Sequence, residues 1–263
     1  MPFSSIIIER ADRIAKIILN RPQVMNALNT AMRQEIYAAL DELEKDSEID
    51  VIILSGAGRA FCVGLDFKEF VQREAIEAGE KSPWDIWSKV LNLDRPIIAA
   101  VHGHILTGGL ELALSCDIII ASEDSIFGDT HARVGMVPGE GNTQILPRLV
   151  GVKKAKEMLF TGNFISAKEA LDIGLVNKVV PHDKLEAATR EMAENILSCD
   201  QTSVRKIKQM IGKGMKDLEA GLIFEKLEAR RWYEQIEMKG VAQRWPDIQE
   251  RGKSQTRKKT TRD

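Results

Sequence analysis

The sequence predicts an α/β fold built around a parallel sheet. Short apolar runs rich in β-branched residues recur along the first half of the chain, and segments with apolar residues at helical spacing lie between them. Strands that alternate with helices in this way form parallel sheets, because each helix carries the chain back to the edge where the next strand begins. The 263 residues suffice for one large α/β domain with a sizeable core.

The predicted elements follow in chain order. The predicted strands are Ile6 to Ile8, Ile14 to Leu19, Val51 to Leu54, Ile97 to Val101, Asp117 to Ala121, Ser125 to Gly128 and Val176 to Val180. The predicted helices begin after Asn29-Thr30, near Trp84 and near Gly109, and then cover Lys153 to Phe160, Ser166 to Ile173, Lys184 to Leu197, Thr202 to Met215 and Leu218 to Ile236. A tight turn over Glu9 to Arg13 joins the first two strands.

Composition excludes several other classes of protein. Apolar residues make up 44% and charged residues 29%, which is ordinary for folded soluble proteins. The longest apolar runs are too short to span a bilayer, and the first residues do not resemble a signal peptide. We therefore expect a cytoplasmic protein with no membrane partner.

Cysteine usage and charge exclude further classes. The three cysteines lack CxxC spacing, which argues against a disulfide framework or a zinc site. The net charge is −2, but Arg251 to Asp263 hold six basic residues and one acid, which leaves −7 for residues 1–250. An acidic body argues against a nucleic-acid binder. We expect the basic tail to be a solvated terminus rather than a docking arm.

Two glycine-containing loops follow predicted strands and are candidates for chemistry. The first loop is Arg59 to Asp66, and its candidate segment is Phe61 to Asp66. The second loop is His102 to Gly109. Glycine lets backbone N–H groups approach a ligand oxygen, and a helix that begins near Gly109 adds its positive end. Two such amides would form an oxyanion hole. The same spacing also fits two tight turns without a ligand.

Glu111 and a polar loop are the next candidates. Glu111 lies in the first turn of an otherwise apolar helix, where an unpaired buried carboxylate is costly, so we interpret it as functional. The loop Gly128 to Asn142 concentrates glycine, acids and histidine. Asp129 and His131 in it either serve function or fix the loop with a hydrogen bond.

Three other patterns are weaker. Gly56-Ala57-Gly58 follows a strand but lacks the third glycine and the helix of a dinucleotide fingerprint, and no P-loop is present. His102 and His104 lack a third metal ligand, so loop packing is the better interpretation. Cys62 has no assignable base, and we expect it to be a small core residue.

The motifs together resemble the crotonase superfamily, also called the enoyl-CoA hydratase/isomerase family, over nearly the whole chain. The most specific segments are Asn20-Arg21-Pro22 with Asn26-Ala27-Leu28, Gly58 to Asp66, Gly108 to Ala113 with Cys116-Asp117, Phe127-Gly128, Pro138-Gly139, and Thr161-Gly162 with Gly174-Leu175-Val176. The resemblance implies a spiral of ββα units over residues 1–198, a helical trimerisation region over 199–250, and the tail over 251–263. It also implies a homotrimer or a dimer of trimers.

The resemblance further implies an acyl-CoA substrate, with no cofactor beyond its own CoA and no metal or nicotinamide. The thioester oxygen would accept hydrogen bonds from the N–H groups of Leu65 and Gly108. The implied CoA contacts are Val24, Met25 and Ala27 in the early loop, and Val63, Leu65, Phe67 and Lys68 in the later one. The family shapes its acyl pocket in the stretch Phe70 to Trp87.

The implied acid/base residues depart from the family pattern at one position. Hydratases of the family use two glutamates, and Glu111 matches the first, whereas His131 stands where the second is expected. The Gly139 amide resembles the group that holds water, and Glu140 beside it is an auxiliary candidate. These residues predict an enoyl-CoA hydratase-like lyase. The alternatives are an isomerase or other crotonase-type reaction that uses one glutamate, and an acyl-CoA or partner-binding protein without turnover.

Overall fold

The structure is a computed structural model. It describes residues 3–72 and 85–214 and, beyond them, positions 223, 226, 227, 230, 231, 234, 245, 246, 249, 250 and 253. Trp84, most of the predicted helix Leu218 to Ile236 and nearly all of the basic tail lie outside the described residues. The predicted division at residues 198 and 250 stays a prediction.

Strands and helices alternate along the described chain. The strands are β1 (Ile6–Ala11), β2 (Ile14–Leu19), β3 (Val51–Gly56), β4 (Ala60–Cys62), β5 (Ile97–Val101), β6 (His104–Leu106), β7 (Ile118–Ser122), β8 (Ile126–Gly128), β9 (Ile165–Ser166) and β10 (Lys178–Val180). The helices are α1 (Thr30–Lys45), α2 (Phe67–Gln72), α3 (Ile86–Leu91), α4 (Gly108–Leu114), α5 (Ile145–Val150), α6 (Val152–Thr161), α7 (Ala167–Asp172), α8 (Leu185–Leu197) and α9 (Gln201–Gly214).

The large sheet has the order β1-β2-β3-β5-β7-β10. β1 is antiparallel to β2, and the other neighbours in the sheet are parallel. Leu54 pairs with Ile17 on one side and with Ala99 on the other, in a row of buried side chains. Ile53 and Ile98 point to the opposite face, which α8 covers with Leu185 and its neighbours. The predicted α/β core with a parallel sheet is confirmed.

The first helix and the first hairpin show how local sequence sets these elements. Asn29 caps α1, because its side chain accepts a hydrogen bond from the Met32 amide at 2.9 Å. The hairpin turn is shorter than predicted, since β1 continues to Ala11. The turn consists of Asp12 and Arg13, with φ values of 53° and 65°, and such two-residue turns match the twist of paired strands.

The small sheet has the order β4-β6-β8-β9 and places the polar loops. The expectations that Arg59 to Asp66 and His102 to Gly109 form only loops are wrong, because Ala60–Cys62 and His104–Leu106 are strands. The whole of β4 is buried, so its side chains show no apolar–polar alternation that would reveal it. α4 packs closely on β4: a Cβ at Gly109 would lie 2.2 Å from the Cys62 carbonyl oxygen, so only glycine fits there.

The described residues contain neither a membrane-spanning helix nor a cluster of metal ligands. No helix in that part of the chain is long and apolar enough to cross a membrane. Within the same residues, no three His, Cys, Asp or Glu side chains are arranged to hold a metal ion.

Candidate active site

The two loops to which the resemblance assigns CoA contacts lie side by side. The Leu28 amide donates to the Gly64 carbonyl at 2.8 Å, and the Asp66 amide donates to the Leu28 carbonyl at 3.0 Å. Arg21 reinforces this link, because its guanidinium donates to the Ala27 carbonyl and to the Asp66 carboxylate at 2.5 and 3.0 Å. The structure therefore brings the early and later segments together.

The individual residues of these segments differ in exposure. Val24 ends a short 3-10 helix, Pro22–Val24, and Met25 after it has a left-handed backbone with φ 53°. Ala27 is buried, Val63 and Phe67 are half-buried, and Lys68 is exposed.

The Leu65 and Gly108 amides lie next to each other. A Cβ at Gly108 would lie 3.6 Å from the Leu65 nitrogen, and one at Gly64 would lie 3.1 Å from the Gly108 nitrogen. In the parallel bridge between Leu28 and Leu65, the bonds to Leu28 come from Gly64 and Asp66, so the Leu65 N–H points away. Within the described part of the chain, neither amide donates to a protein acceptor.

Strained backbone at Thr107 orients the Gly108 amide. Thr107 has φ 48° and ψ −120°, a region that β-branched residues avoid. Its amide donates to the Gly128 carbonyl at 2.9 Å, and its hydroxyl donates to the Val63 carbonyl at 3.0 Å. The Trp87 indole donates to the Gly108 carbonyl at 3.0 Å. Strain held by several bonds is typical of functional positions.

Glu111 lies one helical turn beyond Gly108 and is 2% exposed. Its Oε1 accepts the Glu140 amide at 3.0 Å. The amino end of α4 also favours a negative charge in the first turn. A buried carboxylate thus lies one helical turn beyond the Gly108 amide, with a backbone donor holding one of its oxygens.

Asp129 and His131 form a buried pair. His131 begins a short 3-10 helix, His131–Val134, and its Nδ1 lies 3.0 Å from both Asp129 carboxylate oxygens. The His131 amide also donates to Asp129 at 2.9 Å, and the Asn142 side-chain amide donates to the same carboxylate. The hydrogen bond that the sequence suggested as one interpretation is therefore present.

The loop from Pro138 to Asn142 connects Glu111 to the Asp129–His131 pair. The Glu140 amide contacts Glu111, and two residues later the Asn142 side chain contacts Asp129. Because two residues span at most about 7 Å, this loop ties Glu111 to the neighbourhood of the pair. Gly139 precedes Glu140 in this loop.

Lys226 links this loop to α3. Its Nζ lies 3.6 Å from the Glu140 carboxylate and donates to the Ser88 hydroxyl at 2.7 Å and to Asp85. Burial acts to lower the pKa of Lys226, but Glu140 and Asp85 outweigh it and raise that pKa. Burial likewise acts to raise the pKa of Asp85, yet Lys226 and the Ser88 amide hold it below its usual value.

An apolar cluster adjoins the Leu65 amide. It contains Leu65, Phe67, Phe70, Val134, Met136 and Trp245. The rings of Phe67 and Trp245 stack, with centroids 4.2 Å apart and planes 7° from parallel. Residues 73–84, to which the resemblance assigns part of the acyl pocket, lie outside the described part.

The weaker sequence candidates have structural roles. Burial raises the pKa of Cys62 to about 12, which keeps its thiol protonated and unreactive. His102 Nε2 lies 2.8 Å from the Gly58 carbonyl oxygen, in agreement with loop packing. Gly58 leads into strand β4 rather than a helix, so a dinucleotide fingerprint is excluded.

Three residues around the site were not predicted from sequence: Trp87 as a support of Gly108, Asn142 and Lys226. In the sequence, Trp87 only ends the stretch to which the resemblance assigns the acyl pocket. The sequence marks Asn142 only as the end of the polar loop Gly128 to Asn142. Lys226 lies 141 residues from Asp85 along the chain, and no local pattern marks it.

Comparisons with known proteins identify similar chains. A family model described as enoyl-CoA hydratase/isomerase matches residues 9–244. The short-chain-enoyl-CoA hydratase of Clostridium acetobutylicum is 40% identical over 233 residues, which cover 86% of this chain and 88% of that protein. The crotonyl-CoA hydratase of Syntrophomonas wolfei is 38% identical over 231 residues, with coverage of 86% and 88%.

A solved structure extends the likeness to three dimensions. The enoyl-CoA hydratase of Mycobacterium tuberculosis matches with a TM-score of 0.77 and 40% identity, over 87% of this chain and 97% of that one. The resemblance predicted from the sequence motifs is confirmed. The chain has the crotonase fold and belongs to the enoyl-CoA hydratase/isomerase family.

Proposed function

We propose that this chain adds water across the C2–C3 double bond of a 2-enoyl-CoA thioester. The observation that carries the proposal is the convergence of the Leu65 and Gly108 amides, with the buried carboxylate of Glu111 one helical turn beyond Gly108. The relatives named as short-chain-enoyl-CoA and crotonyl-CoA hydratases support the same reaction.

The two amides serve the thioester oxygen. When water attacks C3, electrons of the double bond move through C2 to the thioester carbonyl and form an enolate. N–H donors fixed before the reaction stabilise this charge, and each such donor contributes about 10²- to 10³-fold in rate. The bonds that hold Thr107 and Gly108 keep one of the two donors in place.

Glu111 is the principal acid and base. Its carboxylate takes a proton from the water as the water oxygen bonds to C3, and it then returns this proton to C2, so that one water is consumed and the enzyme ends unchanged. The Gly139 amide donates to a lone pair of the water, and His131 accepts the second O–H. Glu140 contacts Glu111 through its amide, while its carboxylate is an auxiliary candidate that faces Lys226.

The CoA portion lies along the paired loops. Val24, Met25 and Ala27 form one side, and Val63, Leu65, Phe67 and Lys68 form the other. The Leu28–Leu65 bridge supports this placement, because it holds the two sides adjacent to the amide of Leu65 itself. The reaction uses no cofactor beyond the CoA of the substrate.

The test is hydration of crotonyl-CoA, followed as loss of the enoyl-thioester absorbance. Glu111→Gln keeps an oxygen that accepts the Glu140 amide but removes the base, so we expect kcat to fall by about 10²- to 10⁴-fold. Glu35→Gln is the matched control, because Glu35 also accepts backbone amides, from Ser4 and Ser5, at 2.9 and 2.7 Å, but is remote from the site.

The outcomes separate the alternatives. Hydration by the wild type and by Glu35→Gln, with loss in Glu111→Gln, supports the proposal. Double-bond migration without hydration would indicate an isomerase that uses one glutamate. Tight binding of acyl-CoA without any turnover would indicate a binding protein.

We also propose that the chain assembles as a homotrimer or a dimer of trimers. Ile207 and Ile211 lie one turn apart on α9 and are 56% and 65% exposed in the single chain. Association would remove such apolar residues from water. Light scattering on the purified protein measures the mass of the assembly.

A further inference from the structure

The Asp129 carboxylate is 1% exposed, and it is held by donors from two residues. His131 supplies its amide at 2.9 Å and its ring Nδ1 at 3.0 Å, and Asn142 supplies its side-chain amide. Within the described residues, the Asn142 Oδ1 has no hydrogen-bond partner, so the donation to Asp129 sets the orientation of the Asn142 amide.

This arrangement decides where the imidazole carries its proton. Burial alone would raise the pKa of Asp129, but the His131 ring and the hydrogen bonds from His131 and Asn142 hold it below its usual value. An ionised carboxylate only accepts hydrogen bonds, so the Nδ1 beside it carries a proton. In the neutral ring, Nε2 then holds the lone pair.

The pair is tied to the backbone of the candidate site. The Gly128 carbonyl, immediately before Asp129, accepts the Thr107 amide at 2.9 Å, and Thr107 precedes Gly108. The 138–142 loop then joins Asn142 to Glu140 and hence to Glu111. Further charged groups in this region are the Glu140 carboxylate, Lys226 beyond it, and Arg133, which lies on the same short helix as His131. The Arg133 Nε donates to the Thr161 carbonyl at 3.3 Å.

We propose that Asp129 is a positioning residue that, supported by Asn142, fixes His131 with its proton on Nδ1 and with Nε2 as the acceptor for the reacting water. This inference rests on the proposed function. Loss of the orienting carboxylate leaves the histidine free to adopt the opposite tautomer, which presents an N–H to the water in place of a lone pair.

The first test reads the tautomer without any reaction. Nitrogen NMR of ¹⁵N-histidine-labelled protein distinguishes the two neutral forms, and His131→Gln assigns the signal among the four histidines. We expect the Nδ1-protonated form in the wild type and its loss in Asp129→Asn. An Nε2-protonated His131 in the wild type would overturn the inference, whatever the enzyme catalyses.

The second test is a double-mutant cycle on crotonyl-CoA hydration. We expect Asp129→Asn to lower kcat/KM by about 10²-fold, with the loss in kcat rather than KM. The acid limb of its pH profile should move to lower pH, because removal of a neighbouring negative charge disfavours the imidazolium. In a His131→Glu background there is no tautomer to fix, so Asp129→Asn should lower kcat/KM by less than about threefold.

Asp50→Asn is the matched control. Asp50 is 4% exposed and pairs with Arg13 and Arg205, but it precedes β3 at the amino ends of the parallel strands, opposite the site. We expect it to lower stability and to leave the pH profile unchanged. If Asp129→Asn does not fold, Asn142→Ala replaces it and should lower kcat/KM by about three- to tenfold.

The results separate this inference from the proposed function. Equal losses from Asp129→Asn in the wild-type and His131→Glu backgrounds would show that Asp129 does not act through His131, and would overturn the inference. A wild-type protein without hydration would overturn the proposed function itself, together with the role of Nε2 as the acceptor for water.

Discussion

The first five strands of the large sheet are five or six residues long and largely apolar, whereas the strands of the small sheet have two or three residues and lead into the polar loops. In β3 and β5, burial of Ile52, Leu54 and Ile97 holds the fold. Around the small sheet, Gly64 packs against the strained Thr107, whose hydroxyl donates to the Val63 carbonyl. The buried carboxylates of Glu111 and Asp129 accept hydrogen bonds from the 138–142 loop. Stability and candidate chemistry therefore reside in neighbouring but different parts of the chain.

Substitution of Gly64 should impair activity far more than folding. Its φ is 95°, and a Cβ there would lie 2.0 Å from the Thr107 hydroxyl oxygen, so Gly64→Ala should displace the Leu65 or the Gly108 amide. We expect kcat/KM for crotonyl-CoA to fall by about 10²- to 10³-fold. Gly151→Ala is the control, because Gly151 has φ 80° with nothing within 4 Å of a Cβ. Equal activity in the two variants would contradict the account.

The second prediction reverses this pattern in the large sheet. Ile52 is fully buried, so Ile52→Ala should lower the free energy of unfolding by about 2–5 kcal/mol. The turnover of the folded protein should stay within about twofold, because Ile52 is remote from the amides. Urea unfolding and steady-state kinetics measure the two quantities. If kcat per folded molecule falls by more than about twofold, the two regions are coupled.

The third prediction concerns Lys226, which links α3 to the Glu140 loop. Lys226→Met should lower kcat/KM by about fivefold, or about 1 kcal/mol, because the loop loses its ion pair. Lys226→Arg should restore most of this loss. Lys206→Met is the control, because Lys206 is exposed and contacts Gln209. A Lys226→Met variant that matches this control would remove Lys226 from the account.

The smallest effect is the acid sensitivity that Asp129 gives the fold. Its pKa in the folded protein lies below the ordinary value of 3.8, so its ionised form stabilises the fold above that value. The stabilisation is lost as the pH falls through the lower folded value. The difference in Tm between the wild type and Asp129→Asn should therefore narrow below about pH 4. A constant difference over this range would contradict the assigned ionisation.

Local sequence predicted the large sheet well, because its signals are local and strong. Ile97–Val101 is a continuous apolar run, and Asn29 directly precedes the helix that it caps. Hydrophobic periodicity and capping chemistry are sufficient to find such elements.

The candidate site was predictable only in part. Its glycine loops and Glu111 have sequence signals, because glycines after a strand and an acid in an apolar helix are unusual. Strand β4 has no such sequence signal, since its three apolar residues show no alternation of apolar and polar side chains. The contacts of Asn142 with Asp129 and of Lys226 with Asp85 depend on tertiary packing, because the partners lie 13 and 141 residues apart along the chain.

A crystal structure of Glu111→Gln with crotonyl-CoA bound would show whether the two amides hold the thioester oxygen. We expect the thioester oxygen to lie about 2.7–3.1 Å from both the Leu65 and the Gly108 nitrogen, with C3 facing the side chain at position 111. A thioester oxygen bound away from these two amides would contradict this expectation.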